Sequence, residues 1–171
     1  MTSAGGGVSP EAGTERLSLR PLPPAAASAL PHDRIAAGGE IGAALHPQWP
    51  AGPVLSLLPA LAALTPDQAV YRVWTIIERD TEMVVGDIGF KGPPGHDRTL
   101  EIGYSVVPDM RRRGYASEAA AALVAWGLRQ PGVIAIVAEC DEANQASIGT
   151  LERAGFVRTG RAAGMLRWRR S

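Results

Sequence analysis

Residues 111–116 read RRRGYA: three arginines come directly before a glycine and lead into a run of small residues from Ser117 onward. Such a run predicts the start of a helix. The first N–H groups of a helix lack intrahelical partners, and the helix dipole is positive at this end. Gly114 allows a positive φ and a close approach of a ligand to the backbone. The stretch therefore favours a cradle for phosphate groups, with a solvated basic turn as the alternative.

The arginine side chains of this stretch allow two further interpretations. Arg111, Arg112 and Arg113 can hold an additional phosphate at the rim of a cradle formed by the backbone around Tyr115 and Ala116. They can also form a patch that binds nucleic acid. The chain has 17 Lys+Arg against 17 Asp+Glu, and no set of exposed aromatic residues is interleaved with the arginines. The composition therefore argues against a nucleic-acid or membrane-surface partner.

The remaining composition limits the other kinds of chemistry. Cys140 is the single cysteine, and the three histidines lie in Pro/Gly-rich surroundings without ligand spacing, so we expect no metal site. The N-terminal residues lack the basic and apolar regions of a signal peptide. No apolar run reaches the roughly 20 residues that span a bilayer. We therefore expect a soluble, cytoplasmic protein.

Hydrophobic patterns predict the elements that must position the RRRGYA turn. Strands are expected in the stretches ERLSLRPL, AVYRVWTIIER, MVVGDIGFKG and LEIGYSVVP, the last of which leads into the turn. A helix follows over about 117–129. The apolar run VIAIVAEC is typical of a strand buried on both faces. A second helix begins at Asn144 and ends at Gly155 and Phe156, and one or two strands close the chain.

The domain organisation follows from length and composition. The 171 residues fit one domain. Residues 1–13 are rich in Gly, Ser and Ala, so we predict a disordered tail before a single domain over 14–171. An alanine-rich, proline-punctuated insert over about 23–64 predicts two or three short helices, at about 24–30, 38–45 and 54–63. The predicted fold class is α/β (α+β), with antiparallel strands and a central strand–helix–strand unit.

Two linked blocks of the sequence resemble the GNAT superfamily of N-acetyltransferases. Arg111, Gly114 and Ala116 form R-x-x-G-x-A, which is similar to the acetyl-CoA pyrophosphate loop of that family, within EIGYSVVPDMRRRGYASEAAAALVAWG. The second block is NQASIGTLERAGF, and TERLSLRPL and GDIGFKG resemble earlier strands of the family. The resemblance covers about residues 14–160. It looks closest to the branch of ribosomal-protein and peptide N-terminal acetyltransferases, in which alanine often replaces the last glycine of the loop.

The resemblance implies a GNAT-like mixed central sheet, mostly antiparallel and flanked by helices, in which a splayed parallel pair of strands holds acetyl-CoA as cosubstrate. The two strands are expected to separate after Tyr104. Backbone groups around Ser105, Val106 and Val107 would then pair with the pantetheine amides, and the Val106 N–H can face the developing oxyanion. The loop and first helical turn, through Ser117, would hold the pyrophosphate. Asn144 would contact the pantetheine or an ordered water, or cap the helix that begins there, and Ser147 would lie near the sulfur.

The resemblance also implies a general base. An alkylammonium has a pKa of about 10, so the substrate must lose a proton before it attacks, and a general base accelerates such steps by roughly 10²–10⁴-fold. A strand carboxylate often has this role in the family, which indicates Glu101. Glu139, in the neighbouring strand, is the rival base. The alternatives for Glu101 are a surface strand residue and an ion-pair partner of an arginine.

Departure of the thiolate needs a proton donor. Many GNAT enzymes use a tyrosine after the second block, but the tyrosines of this chain are Tyr71, Tyr104 and Tyr115. Ser147 is then the implied donor, with a structural serine that bonds to the helix start as the alternative. Cys140 leaves an acetyl-cysteine intermediate open, against the simpler interpretation of a small buried side chain.

The function expected from these residues is transfer of an acetyl group from acetyl-CoA to a primary amine, either a peptide N-terminus or a small molecule. The amine would attack directly in a ternary complex, without a metal. The alternative is a non-catalytic module that senses acetyl-CoA or CoA. We expect a monomer or a homodimer, with no nucleic-acid and no membrane partner.

Overall fold

The computed structural model describes residues 10–171, and in this part of the chain nine strands form one sheet with helices on both faces. The strands are β1 (Ala12–Gly13), β2 (Leu17–Pro21), β3 (Ala44–Leu45), β4 (Val73–Glu78), β5 (Met83–Phe90), β6 (Thr99–Val106), β7 (Ala135–Asp141), β8 (Val157–Ala162) and β9 (Met165–Arg170). The helices are α1 (Pro24–Ala29), α2 (Arg34–Ile41), α3 (Pro53–Ala62), α4 (Pro66–Ala69), α5 (Tyr115–Leu128) and α6 (Gln145–Arg153).

The strand order is β1-β2-β4-β5-β6-β7-β9-β8, and β3 pairs with β5 beside this path. Neighbouring strands are antiparallel except for β6 with β7 and the two-residue β3 with β5. The predicted fold class, a mixed sheet that is mostly antiparallel and flanked by helices, is therefore confirmed.

The parallel pair β6–β7 separates early. Its register runs only from Thr99–Ala135 to Glu101–Val137, three residues before the expected point at Tyr104. Beyond it, β6 stays with β5 and β7 stays with β9. Each strand thus follows its antiparallel partner, and the sheet divides into two halves.

Two hydrophobic cores lie on opposite faces of the sheet. The larger core joins β-strand residues such as Ile76 and Ile136 to Leu123 of α5 and Leu151 of α6. The second core joins Val84 of β5 to the helices of the insert, α1, α2 and α3. The insert therefore covers only one half of the sheet, and α5 and α6 lie on the opposite face.

The predicted boundaries differ from the structure at the N-terminal side. Of the predicted tail, residues 1–9 lie outside the described residues, while Ala12 and Gly13 pair with β2. The helix expected at about 38–45 begins four residues earlier, because the Asp33 side chain caps it by accepting from the Ala36 N–H at 3.0 Å. Gly42, with φ 77°, ends it.

Candidate active site

A cleft of about 640 Å³ opens where the sheet divides, between the N-terminal ends of α5 and α6. It brings together most of the residues predicted to bind a cofactor. Its lining comprises Ser105 and Val106 of β6, the loop residues Arg111, Arg112 and Gly114, the first three residues of α5, and Asn144 and Ser147 at the start of α6.

The loop before α5 presents unpaired backbone donors to this cleft. Arg112 and Gly114 both have positive φ, 61° and 80°, and the first helical hydrogen bond runs from the Glu118 N–H to the Gly114 carbonyl at 3.1 Å. The six N–H groups from Arg112 to Ser117 have no acceptor among the described residues. A helix N-terminus with free N–H groups attracts anions.

Arginines form the basic rim of the cleft. Arg111 donates from Nε to the Val106 carbonyl at 2.9 Å, and Arg112 lines the cleft beside it. Arg113, which was predicted to take part, is absent from the lining and reaches towards the Asp109 carbonyl instead, at 3.5 Å. Arg153 of α6 lines the cleft and was missed, because no motif marks its place on the helix.

Arg16, just before β2, binds the loop that precedes α5 from outside the cleft. It donates from Nε to Glu118 at 2.8 Å and from Nη1 to the Arg113 carbonyl at 3.0 Å, and its guanidinium lies 4.8 Å from the Tyr115 ring centre. Burial opposes ionisation of Glu118, but hydrogen bonds from Arg16 and Thr14 outweigh it and lower the pKa of that carboxyl. Glu118, in the first turn of α5, therefore anchors the loop to the residues before β2.

Replacement of Arg16 by alanine is expected to weaken acetyl-CoA binding about 3- to 10-fold and to leave the rate of the chemical step nearly unchanged. The variant frees the Arg113 carbonyl and Glu118, so the loop spends less time in its binding conformation, at a cost of about 1 kcal/mol. Calorimetric titration with acetyl-CoA measures this. Arg79→Ala is the matched control, since Arg79 bonds to the Thr14 and Leu17 carbonyls and not to the loop. Equal acetyl-CoA affinities in the two variants would contradict the role of Arg16 in holding the loop.

The separation of β6 from β7 leaves a gap between these two strands. Hydrogen-bond alternation decides which backbone groups of β6 face this gap. The Lys91 N–H donates to the Glu101 carbonyl and the Val107 N–H to the Val85 carbonyl, both at 3.0 Å. In an antiparallel pair, alternate residues bond to the partner strand, so Ser105 bonds to β5 as these two residues do. The backbone groups of Tyr104 and Val106 therefore face away from β5, into the gap.

Tyr104 joins Ser147 at the bottom of the gap, a contact that the sequence did not indicate. Its hydroxyl lies 2.8 Å from Ser147 Oγ and 3.3 Å from the Ser147 carbonyl. Burial raises the pKa of the Tyr104 phenol, and the hydrogen bond to Ser147 partly opposes this. Asn144 caps α6 by accepting from the Ser147 N–H at 3.0 Å. The hydroxyl of Ser147 therefore has a tyrosine partner, supplied by β6.

The two predicted bases lie outside the cleft lining. Glu101 forms an ion pair with Lys91, and Glu139 forms one with Arg167 at 3.2 Å. The interpretation of Glu101 as an ion-paired strand residue, with lysine in place of arginine, therefore agrees with the observed contact. Cys140 is buried, at 5% exposure. Among residues 10–171, no group of three His, Cys, Asp or Glu side chains is arranged to hold a metal ion.

Asp87 of β5 is a buried carboxyl that the sequence analysis overlooked. It is 9% exposed, and its Oδ2 accepts from Trp49 Nε1 at 2.9 Å. Burial raises the pKa of Asp87 to about 6, and the Trp49 hydrogen bond opposes the rise. Its sequence signal is a lone acidic residue within the otherwise apolar strand MVVGDIGF.

The sequence model of a family described as acetyltransferase (GNAT) domain matches residues 16–157. The chain belongs to the GNAT acetyltransferase family. YjdG of Bacillus subtilis, named an uncharacterized N-acetyltransferase, is 31% identical over 146 residues, which cover 84% of this chain and 85% of YjdG. The protein is therefore an acyltransferase that transfers acetyl groups.

Solved structures share the fold of this GNAT acetyltransferase. RimL, a ribosomal L7/L12 alpha-N-protein acetyltransferase, aligns with a TM-score of 0.67 at 17% identity and covers 99% of this chain and 98% of its own. The microcin C7 self immunity acetyltransferase MccE, in complex with acetyl-CoA and AMP, aligns with a TM-score of 0.60 at 16% identity, over 92% and 93% of the two chains. In the described part of the GNAT chain, no helix combines the length and apolar character needed to traverse a bilayer.

Proposed function

We propose that this GNAT enzyme transfers the acetyl group of acetyl-CoA to a primary amine, either a peptide N-terminus or a small-molecule amine, by direct attack in a ternary complex. The observation that carries the proposal is the row of six free backbone N–H groups around Gly114, at the mouth of a cleft that leads to the divided strands. RimL is named an alpha-N-protein acetyltransferase, and the MccE structure contains acetyl-CoA. The amine class is inferred from these neighbours.

The residues present fit acetyl-CoA. The free N–H groups from Arg112 to Ser117 suit a pyrophosphate, and the guanidinium groups of Arg111, Arg112 and Arg153 suit a further phosphate. The backbone of Tyr104 and Val106, which faces the gap, suits the amides of the pantetheine. Acetyl-CoA would supply the acetyl thioester there, and the Val106 N–H would stabilise the negative charge that develops on its carbonyl oxygen.

Proton transfers are assigned to side chains on both faces of the gap. The hydroxyl of Ser147, oriented by its hydrogen bond with Tyr104, would protonate the departing thiolate. Glu101 is the base that the family resemblance implies, with Glu139 as its rival, and both are ion-paired. The amine nitrogen would form the new bond to the acetyl carbon while the carbon–sulfur bond breaks, and the electron pair would leave with sulfur.

A binding assay and a turnover assay test the proposal together. Acetyl-CoA at 100 times its Kd is expected to stabilise the protein by about 2.7 kcal/mol, which raises Tm by roughly 5–10 °C for a chain of this length. Release of free thiol is then followed across a panel of amines and N-terminal peptides. Firm binding without thiol release from any acceptor would refute the transferase and support the sensor.

Replacement of Tyr104 by phenylalanine is expected to lower kcat about 10-fold, while the affinity for acetyl-CoA stays within twofold of wild type. The change removes the partner of the Ser147 hydroxyl, so the donor loses its orientation rather than its chemistry. Steady-state kinetics in both substrates separate the two quantities. The matched control is Tyr71→Phe, because Tyr71 packs on Trp126 and is absent from the cleft lining; equal kcat values in both variants would exclude the role of Tyr104.

A further inference from the structure

Three carboxylates, those of Asp87, Glu101 and Glu139, lie on the face of the sheet opposite α5. Side chains on β6 alternate between faces, and Ile102 and Val106 point into the core under α5. Glu101, Gly103 and Ser105 therefore point to the opposite face. Asp87 is the register partner of Ser105 and shares that face, which agrees with its hydrogen bond to Trp49 of the insert.

Asp87 differs from the other two carboxylates in its partners. Glu101 and Glu139 are each held by a cation, Lys91 and Arg167 respectively. A cationic partner stabilises the charged form of a carboxylate and weakens it as a base. Asp87 has no cationic partner among the described residues, and no donor among them reaches its second oxygen, Oδ1. It is therefore the carboxylate of this face that is free to accept a proton.

The space beside Asp87 is open above Gly103. A Cβ built on Gly103 meets nothing within 4 Å, and Gly103 is exposed. Directly opposite residues of an antiparallel pair have Cβ atoms about 5 Å apart, and diagonal neighbours lie about 7–8 Å apart. Asp87 lies opposite Ser105 and diagonal to Gly103. The open space above Gly103 is called the open floor. A small polar group placed there would be within reach of Asp87, directly or through one water.

We propose that Asp87 is the general base of the acetyl transfer and that the acceptor ammonium group is seated on the open floor at Gly103, on the face opposite the thiolate donor Ser147. The inference rests on the proposed N-acetyltransferase function. In the step, a nitrogen–hydrogen bond of the ammonium breaks, an oxygen–hydrogen bond forms at Asp87 Oδ1, and nitrogen keeps the electron pair with which it attacks the acetyl carbon. The acceptor is the protonated primary amine of the proposed function.

The surroundings of Asp87 favour this role at neutral pH. A base is most effective when its pKa lies near the working pH, and burial raises the pKa of Asp87 to about 6. The groups that face it from the packed elements are Thr75 on β4, Ser105 on β6 and Trp49 from the insert, and none of them titrates in this range. Of these groups, Asp87 is therefore the one whose protonation is expected to change near pH 6.

Kinetics of the Asp87→Asn variant test the proposal. Asparagine keeps the shape and can still accept from Trp49, but it cannot take a proton. For an amine that wild type acetylates, kcat is expected to fall about 100-fold at pH 7.5, with acetyl-CoA affinity within twofold of wild type. Asp80→Asn, in the exposed β4–β5 turn, is the matched control and should retain wild-type activity. A wild-type kcat for Asp87→Asn would overturn the inference. A fall in kcat that is larger for Glu101→Gln or Glu139→Gln than for Asp87→Asn would overturn it as well.

A pH profile separates a base from a structural residue. Wild type is expected to lose kcat as the pH falls through about 6. Trp49→Phe removes the hydrogen bond that holds the pKa of Asp87 down, so this acid limb should move to higher pH. If the acid limb of the kcat profile stayed at the same pH in Trp49→Phe, another group would be the one that titrates, and the role of Asp87 as the base would be refuted. Absence of thiol release from wild type with every amine would instead refute the proposed function, and the inference with it.

The floor is tested independently by Gly103→Val. Valine suits a strand, and its side chain would fill the open space, so the KM for the amine is expected to rise at least 10-fold while acetyl-CoA affinity is kept. An unchanged KM for the amine would place the acceptor elsewhere and overturn this part of the proposal.

Discussion

Replacement of Gly114 by valine is expected to lower the affinity for acetyl-CoA at least about 100-fold while the protein remains folded. Gly114 has a φ of 80° and is the residue before the first turn of α5. A β-branched residue in this region costs about 1–3 kcal/mol, so the loop should relax and turn its N–H groups away from the cleft. Each charge-assisted hydrogen bond lost contributes about 1.5–3 kcal/mol, and 2.7 kcal/mol is a factor of about 100.

The matched control for this prediction is Gly132→Val. Gly132 has a φ of 81°, and a Cβ on it meets nothing within 4 Å, so valine there introduces similar backbone strain without a clash. It lies in the loop between α5 and β7, outside the cleft lining. Titration calorimetry should show near-wild-type acetyl-CoA affinity for Gly132→Val and none measurable for Gly114→Val. Similar affinities in the two variants would show that the loop backbone does not hold the ligand.

Local signals made the strands, the loop and the second helix predictable. The end of α6 is one example. The Phe156 N–H donates to the Leu151 carbonyl and the Gly155 N–H to the Glu152 carbonyl, both at 3.0 Å, which is the Schellman pattern that the Gly–Phe pair indicates. The loop before α5 is another, because a glycine at a helix start has a fixed conformational meaning. Such features depend on residues only a few positions apart.

The contacts that decide the chemistry join residues far apart in sequence. Trp49 and Asp87 are 38 positions apart, Tyr104 and Ser147 are 43, and Arg16 and Glu118 are 102. No periodicity within one element reports such a pair. The point at which β6 leaves β7 is of the same kind, since the two strands are joined through α5 and their last register pair, Glu101 with Val137, is distant in sequence. The local structure of the loop was therefore more predictable from the sequence than the contacts between distant residues.

The two halves of the candidate site are separated by the sheet itself. Tyr104 and Ser147 lie on the α5–α6 face, where the cleft for acetyl-CoA opens, and Asp87 lies on the face of the insert. In the proposed reaction, Asp87 would therefore take the proton of the amine on one face and Ser147 would give a proton to sulfur on the other.

Asp87→Asn is expected to stabilise the folded protein by about 3 kcal/mol at pH 7.5, even though it removes the proposed base. The physical reason is that burial raises the pKa of Asp87 from 3.8 to about 6, a difference that corresponds to about 3 kcal/mol. At pH 7.5 the folded wild type must keep a charged carboxylate among apolar groups, whereas the unfolded chain hydrates it. Asparagine has no charge to bury, so Tm should rise by roughly 6–12 °C.

The pH dependence fixes the sign of this effect. Between about pH 4 and pH 6 the folded state still holds a proton on Asp87 that the unfolded state has released, so wild-type stability decreases as the pH rises through this window. Below about pH 4 the carboxyl is neutral in both states, and the advantage of asparagine should disappear. Urea denaturation of both proteins at pH 3.5, 5, 6 and 7.5 measures the difference directly. A constant difference across these values would mean that Asp87 is not buried in a charged form at neutral pH. A difference that opens between pH 4 and pH 6 would identify Asp87 as a carboxylate kept charged at a cost in stability, as the proposed base requires.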